Sequence, residues 1–245
     1  MDRPQPDLLP NLAMAIAVEA LETRFPGAVC AFVAGSIMRG QGTVRSDLDL
    51  VVLYPRLDQA WRESFESNDM PVEAFVQDPS TLAHYLEQDV QSGRPIMISM
   101  VAEGRIVGTD IGLARHWQSR ARGLLAAGPR QAVDSWLLYQ VSDLADDLRG
   151  LRPASEVRAI AMQLYPKLAD LMLLGQGQWS GNGKWVPRRL SALGQEARDG
   201  FEAAMTAAFD GDGAALLALC DAELARYGGP LFDGYKALGV TSTQR

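Results

Sequence analysis

AGSIMRGQGTVRSDLDLVVL, residues 34–53, is the stretch that decides how this chain folds. It continues the apolar run Val29-Cys30-Ala31-Phe32-Val33 into Gly35-Ser36, and it ends with Asp47-Leu48-Asp49-Leu50 entering Val51-Val52-Leu53. Apolar runs of this length bounded by glycine predict a strand, a sharp turn with a short helix, and a second strand. Asp47 and Asp49 are two residues apart, so on a strand both face the same side. Two carboxylates side by side repel, and each resists desolvation. A divalent cation relieves both problems, and hard oxygen ligands of this kind suit Mg²⁺. Gly35 permits a tight turn and a close backbone approach. Ser36 stands where a helix N-terminus would present free N–H groups and a hydroxyl to an anion. The plainer alternative is a Gly-Ser turn followed by a strand with two solvated aspartates.

Working outward, residues 10–24 show helical spacing (Leu12, Ile16, Val18, Leu21) and stop at Pro26-Gly27. Residues 57–67 are expected to form a short helix that ends at Asn68-Asp69, and Val72–Val76 a third strand. Glu73 interrupts that otherwise apolar strand, and a carboxylate there needs a partner or an exposed edge. Pro79-Ser80 opens a helix to about Gln91, with Ser80 as its expected cap. The apolar segment 96–101 leads into Glu103-Gly104-Arg105-Ile106-Val107-Gly108 and closes the first domain.

Beyond Thr109 leucine and alanine recur with charges at helical spacing. Five helices are expected, over 111–125, 130–148, 155–175, 187–209 and 213–226, separated by glycine- and proline-containing breaks. The fold class is therefore α+β: an N-terminal domain with a small mixed sheet flanked by helices, residues 1–112, and an all-α helical bundle, residues 113–245.

Composition narrows the function classes. The chain has 245 residues, a hydrophobic fraction of 47% and a formal net charge of −7, without a basic stripe. Such a balance disfavours a nucleic-acid partner, whose backbone phosphates attract basic proteins. Cys30 and Cys220 lie in apolar surroundings with no metal-ligand spacing, and His84 and His116 stand apart, so zinc has no support. Asp2 and Arg3, with Glu19 and Glu22 breaking the following apolar stretch, argue against a signal peptide. No run of 18 apolar residues is present, so no membrane span is expected. A cytoplasmic location is the default expectation.

Gly-Ser, a gap of about a dozen residues and Asp-apolar-Asp-apolar together resemble the nucleotidyltransferase superfamily that includes DNA polymerase beta. Gly35-Ser36-Ile37-Met38-Arg39-Gly40 and Ser46-Asp47-Leu48-Asp49-Leu50 resemble most the small bacterial enzymes typified by aminoglycoside nucleotidyltransferases. The likeness covers about the first 110 residues well and the rest loosely. It implies transfer of a nucleoside monophosphate, AMP from ATP, to a hydroxyl of a small acceptor with release of pyrophosphate. An aminoglycoside-type compound is one candidate acceptor, and the helical domain is the implied acceptor-binding domain. By the resemblance, Asp47 and Asp49 hold Mg²⁺, and Glu73 completes the metal site or acts as general base. Gly35, Ser36 and Arg39 hold the triphosphate, with Ser46 beside the carboxylates.

Gly183-Lys184-Trp185, ahead of Pro187 and Arg188, resembles a segment of helical domains attached to such transferases, whose lysine reaches the triphosphate. The alternative for Lys184 is a solvated side chain on a structural loop. Asp143, Asp146 and Asp147 share one helix face and would suit a polycationic acceptor, or are an ordinary solvated face. Two other readings stay open. One is an enzyme that places AMP on a protein, as toxin–antitoxin systems do. The other is a nucleotide-binding module without catalysis. Oligomeric state is undecided by the sequence.

Overall fold

The computed structural model describes residues 9–43 and 45–238. Asp2 and Arg3 lie outside them. The chain divides into two compact units, Met1–Pro129 and Arg130–Arg245.

The first unit is mixed α+β. Helix α1 (Leu9–Thr23) is followed by strands β1 (Cys30–Ala34), β2 (Leu48–Leu53), β3 (Trp61–Ser67) and β4 (Met70–Gln77). Helices α2 (Pro79–Ser92) and α3 (Ile96–Glu103), strand β5 (Arg105–Gly108) and helix α4 (Ile111–Ala127) complete it. The five strands form one sheet in the order β3-β4-β2-β1-β5. β2 and β4 run parallel, and the other neighbouring pairs are antiparallel.

Strand parity divides the sheet residues between two faces. Ala31, Val33, Leu48, Leu50, Val52, Val72, Ala74 and Val76 pack into one cluster with Ala13, Ile16, Ala17 and Ala20 of α1. The residues between them (Phe32, Asp49, Val51, Glu73, Phe75) therefore project from the opposite face. Leu48 and Leu50 are fully buried on either side of Asp49. The apolar residues that anchor the two central strands thus fix the direction of the acidic ones.

Residues 57–67 do not form the expected helix. Trp61–Ser67 is an edge strand antiparallel to β4, with Ser67 opposite Met70. Asn68 and Asp69, at φ 50° and 61°, are the two central residues of the connecting hairpin. Two successive left-handed residues match the right-handed twist of a two-residue hairpin, and Asn and Asp tolerate that conformation. The short helix expected after Ser36 is likewise absent. The chain turns there by Gly40 N donating to Ile37 O (3.1 Å) and Gln41 N to Ser36 O (2.9 Å). Gly40, at φ 70°, takes the left-handed conformation that ends the turn.

The cap of α2 is Asp78, not Ser80. Its Oδ1 accepts from Ser80 N (3.0 Å) and Thr81 N (2.9 Å), and Asp78 N donates to Thr81 Oγ1 (2.9 Å), which closes a capping box. Pro79 then occupies the first helical position, where its missing N–H costs nothing. The expected boundary at residue 112 would separate α4 from its packing partners. Gln118 Nε2 donates to Val101 O (3.3 Å) and Gly104 O (2.7 Å), and Arg122 Nε to Ala102 O (3.0 Å). These bonds satisfy carbonyls at the C-terminal end of α3 and tie α4 to the first unit.

The second unit is helical: α5 (Ser135–Arg149), α6 (Ala154–Leu174), α7 (Trp185–Leu190), α8 (Gln195–Asp210) and α9 (Ala214–Ala225). Its core joins Val141, Leu164, Leu168, Phe201, Leu216 and Cys220. The single helix expected over 187–209 is broken into α7, a 3-10 turn (Ser191–Leu193) and α8, because Gly194 at φ 90° interrupts it. Among the described residues, no helix is long and apolar enough to cross a membrane.

Two buried aspartates in the first unit respond oppositely to pH. Asp78 is held down to about 2, first by the Thr81 backbone N–H and further by Leu57 N, against its burial. Burial pushes Asp89 up to about 7, opposed by the N–H groups of Ile98, Met97 and Ile96 at the start of α3. The folded value of Asp89 lies above the unfolded one, so its contribution is complete below about pH 4 and declines as pH rises through 7. Asp89→Asn keeps an oxygen for Ile98 N (2.8 Å from Asp89 Oδ2) and removes the titration. Urea unfolding from pH 4.5 to 7.5 should show wild type losing on the order of 2–4 kcal/mol relative to Asp89→Asn. A constant difference would refute the assignment. The Asp78 contribution has the opposite sign: it holds above about pH 4 and is lost as pH falls towards 2.

Candidate functional site: a carboxylate cluster on the central strands

The parallel pairing of β2 with β4 sets Asp49 directly opposite Glu73. Asp47 precedes β2 by one residue, with the same parity as Asp49. One carboxylate oxygen from each of Asp47, Asp49 and Glu73 lies within 4.8 Å of the others. Asp47 is exposed, and Asp49 and Glu73 are half-buried. Three negative charges at this separation repel, and two of them are partly removed from water. Oxygen ligands converging from three backbone positions fit a hard divalent cation such as Mg²⁺.

Gly35 belongs to the same arrangement. It follows β1 at φ 94°, and a Cβ placed on it would stand 2.5 Å from Asp49 Oδ2. The residue beside Asp49 must therefore lack a side chain, and the backbone approaches the carboxylate closely for that reason. Ser36 is buried at the start of the turn. Ile37, 2% exposed, anchors the turn in the core, and Gly42 folds back against its Cα.

The remaining expected site residues are placed differently. Ser46 Oγ accepts from Thr43 N (2.9 Å), so its hydroxyl holds the loop that delivers Asp47. Arg39 Nη1 donates to Glu103 Oε2 (3.2 Å), which ties the turn to the end of α3. Lys184 is exposed and belongs to the second unit. In that unit Asp146 and Asp147 are engaged by arginines: Asp146 with Arg149 (3.4 Å) and Asp147 with Arg152 (2.8 Å). Asp143, the third acid of the expected face, is solvent-exposed. The face behaves as a solvated helix surface laced with salt bridges.

One residue beside the cluster was not expected from the sequence. Arg62 Nη2 donates to Glu73 Oε1, and its guanidinium lies 5.0 Å above the Phe75 ring. Arg62 sits opposite Phe75 on β3, one diagonal step from Glu73. The expectation of a helix over 57–67 concealed it. The alternation Trp61-x-Glu63-x-Phe65 and the Asn68-Asp69 turn were the signals that could have revealed the strand.

Among solved structures, the chain is similar to a nucleotidyltransferase-like protein from Exiguobacterium sibiricum 255-15. The two share 12% identity at a TM-score of 0.43, over 87% of this chain and 75% of that one. No family model matches the chain, and no curated protein matches it.

Gly35→Ala tests the close approach. The substitution forces a left-handed conformation on alanine and drives its Cβ into Asp49. Chemical denaturation should show a loss of about 1–3 kcal/mol. A variant as stable as wild type would mean that Asp49 turns aside at no cost.

Proposed function

We propose that this chain is a Mg²⁺-dependent nucleotidyltransferase that moves AMP from ATP to a hydroxyl of a small acceptor. The observation that carries the proposal is the convergence of Asp47, Asp49 and Glu73 beside the Gly35-Ser36 turn. A surface cluster of acids needs no such arrangement. A turn that excludes a side chain and a register that aligns Asp49 with Glu73 position the three groups far more narrowly.

In the proposed reaction the acceptor oxygen attacks the α-phosphorus of ATP. The new O–P bond forms as the bond to pyrophosphate breaks, and pyrophosphate carries away the electron pair. Held by Asp47, Asp49 and Glu73, Mg²⁺ would neutralise phosphate charge and align the reacting groups. The Glu73 carboxylate is the group that receives the acceptor's hydroxyl proton. The turn at Gly35 and Ser36 offers backbone N–H groups and a hydroxyl to the phosphates. Arg39 lies on the same turn and can reach phosphate once it leaves Glu103. An aminoglycoside-type compound is the first acceptor to try, because an acidic chain tolerates a cationic substrate.

Asp49→Asn keeps the size of the side chain and removes one charge from the centre of the cluster. It should abolish Mg²⁺-dependent ATP binding in calorimetry and reduce acceptor-triggered pyrophosphate release at least about 100-fold, with the fold intact by circular dichroism. Full activity in a variant preparation free of wild type would refute the mechanism. ATP binding by wild type with no release from any hydroxylated small molecule would move the acceptor to a protein.

A further inference from the structure

Arg62 is a cation that the structure places against Glu73 of the carboxylate cluster. It stands on the edge strand, on the same sheet face as Asp49 and Glu73, and bonds Glu73 while stacking over Phe75. The two partners differ in exposure: the Arg62 side chain is 60% exposed and that of Glu73 20%. Arg62 can therefore return to water at little cost, because most of its side-chain surface is already exposed. Glu73 cannot give up its partner as freely. It is more enclosed, and it faces two other carboxylates within 4.8 Å. An arginine and a divalent ion would compete for the same oxygen atoms on Glu73.

We propose that Arg62 is the resident counter-cation of the cluster, a positioning residue that opposes divalent-ion binding by occupying Glu73. This rests on the metal-binding reading proposed above. The arginine offsets part of the repulsion among the three acids. An incoming ion must displace it or bind beside its positive charge, and either route weakens the hold on the ion. Binding of a metal–nucleotide complex differs from binding of the bare ion, because the phosphates provide the released guanidinium with a new anionic partner.

The other arginine paired with β3 provides an internal control. Arg24 bonds Glu63 (Nε to Oε2 3.0 Å), and its guanidinium lies 4.3 Å from the Phe65 ring. Glu63 pairs in register with Ala74, whose side chain belongs to the α1 face, so this ion pair sits on the far side of the sheet from the cluster. Each arginine thus bonds a glutamate and stacks on an aromatic ring, Arg62 from β3 itself and Arg24 from the turn after α1, and they differ in which face of the sheet they serve.

Mn²⁺ titration of the full chain by calorimetry and electron paramagnetic resonance, at fixed pH and ionic strength, tests the proposal. Arg62→Gln should bind Mn²⁺ about three- to fivefold more tightly than wild type, the scale of one exposed ion pair. Arg62→Lys retains the charge but not the planar fork, and should fall between the two. Arg24→Gln should bind as wild type does. Thermal melts confirm that each variant is folded, and Arg62→Lys alone decides the question if Arg62→Gln is not. Wild type that binds Mn²⁺, with Asp49→Asn failing to, while the folded Arg62 variants bind no more tightly, overturns this inference and leaves the metal site standing. No Mn²⁺ binding by wild type at millimolar concentration overturns both.

Discussion

Mutual repulsion among three carboxylates is the constraint on which the first unit's design depends. Asp47, Asp49 and Glu73 bring one oxygen each to within 4.8 Å of one another, and nothing about their own chemistry favours it. The scaffold enforces it through the alternation of the strands. Leu48, Leu50, Val72 and Ala74, each at most 1% exposed, point into the α1-side core. A register slip of one residue would bury the acids and expose the leucines, so hydrophobic burial locks the acidic face in place. At roughly 25 cal/mol per Å² of apolar surface removed from water, several such side chains outweigh the repulsion of a partly hydrated cluster.

The same constraint accounts for the parts around the cluster. A parallel β2/β4 pair cannot be joined by a tight turn, so the chain leaves β2, forms β3 and returns through the Asn68-Asp69 hairpin into β4. That detour puts an edge strand beside β4, and the edge strand brings Arg62 to Glu73. On the other side, β1 reaches Gly35, whose missing side chain leaves room for the Asp49 carboxylate. Arg39 and Arg62 both lie on elements that adjoin the cluster, and each pairs with a glutamate. Positive charge is thus present around the cluster, with both arginines engaged by glutamates.

The acidic pair was legible from sequence because strand parity is a local property: Asp47 and Asp49 share a face whatever the rest of the chain does. Glu73 was legible as an anomaly in an apolar strand. Its alignment with Asp49 depends on a pairing 24 residues away, which no local pattern specifies. Arg62 was concealed because Trp61–Ser67 is an edge strand with no buried residue. Its charges then mimic an amphipathic helix over a window of seven residues. The cap of α2 was misplaced by two residues because Ser80 is a good cap type. The position of Pro79 is the stronger cue, since proline prefers the first helical position and leaves the cap to the residue before it. Gly194 divides α7 from α8 by its φ of 90°, a conformation that a leucine- and alanine-rich pattern does not announce.

The cluster also explains how a site of this kind can vary without endangering the fold. Asp49 and Glu73 alternate along β2 and β4 with Leu48, Leu50, Val72 and Ala74, so the acids project from the face opposite the α1-side core. Exchanging an acid for its amide leaves Leu48, Leu50, Val72 and Ala74 undisturbed and removes a repulsion. Loss of function at Asp49 should therefore not come with loss of stability, unlike loss of a core residue. Gly35 is the exception, because its backbone conformation and the room for Asp49 are one requirement. The fold can thus tolerate changes among the charged groups of the cluster, while the backbone conformation at Gly35 and the room for Asp49 favour glycine there.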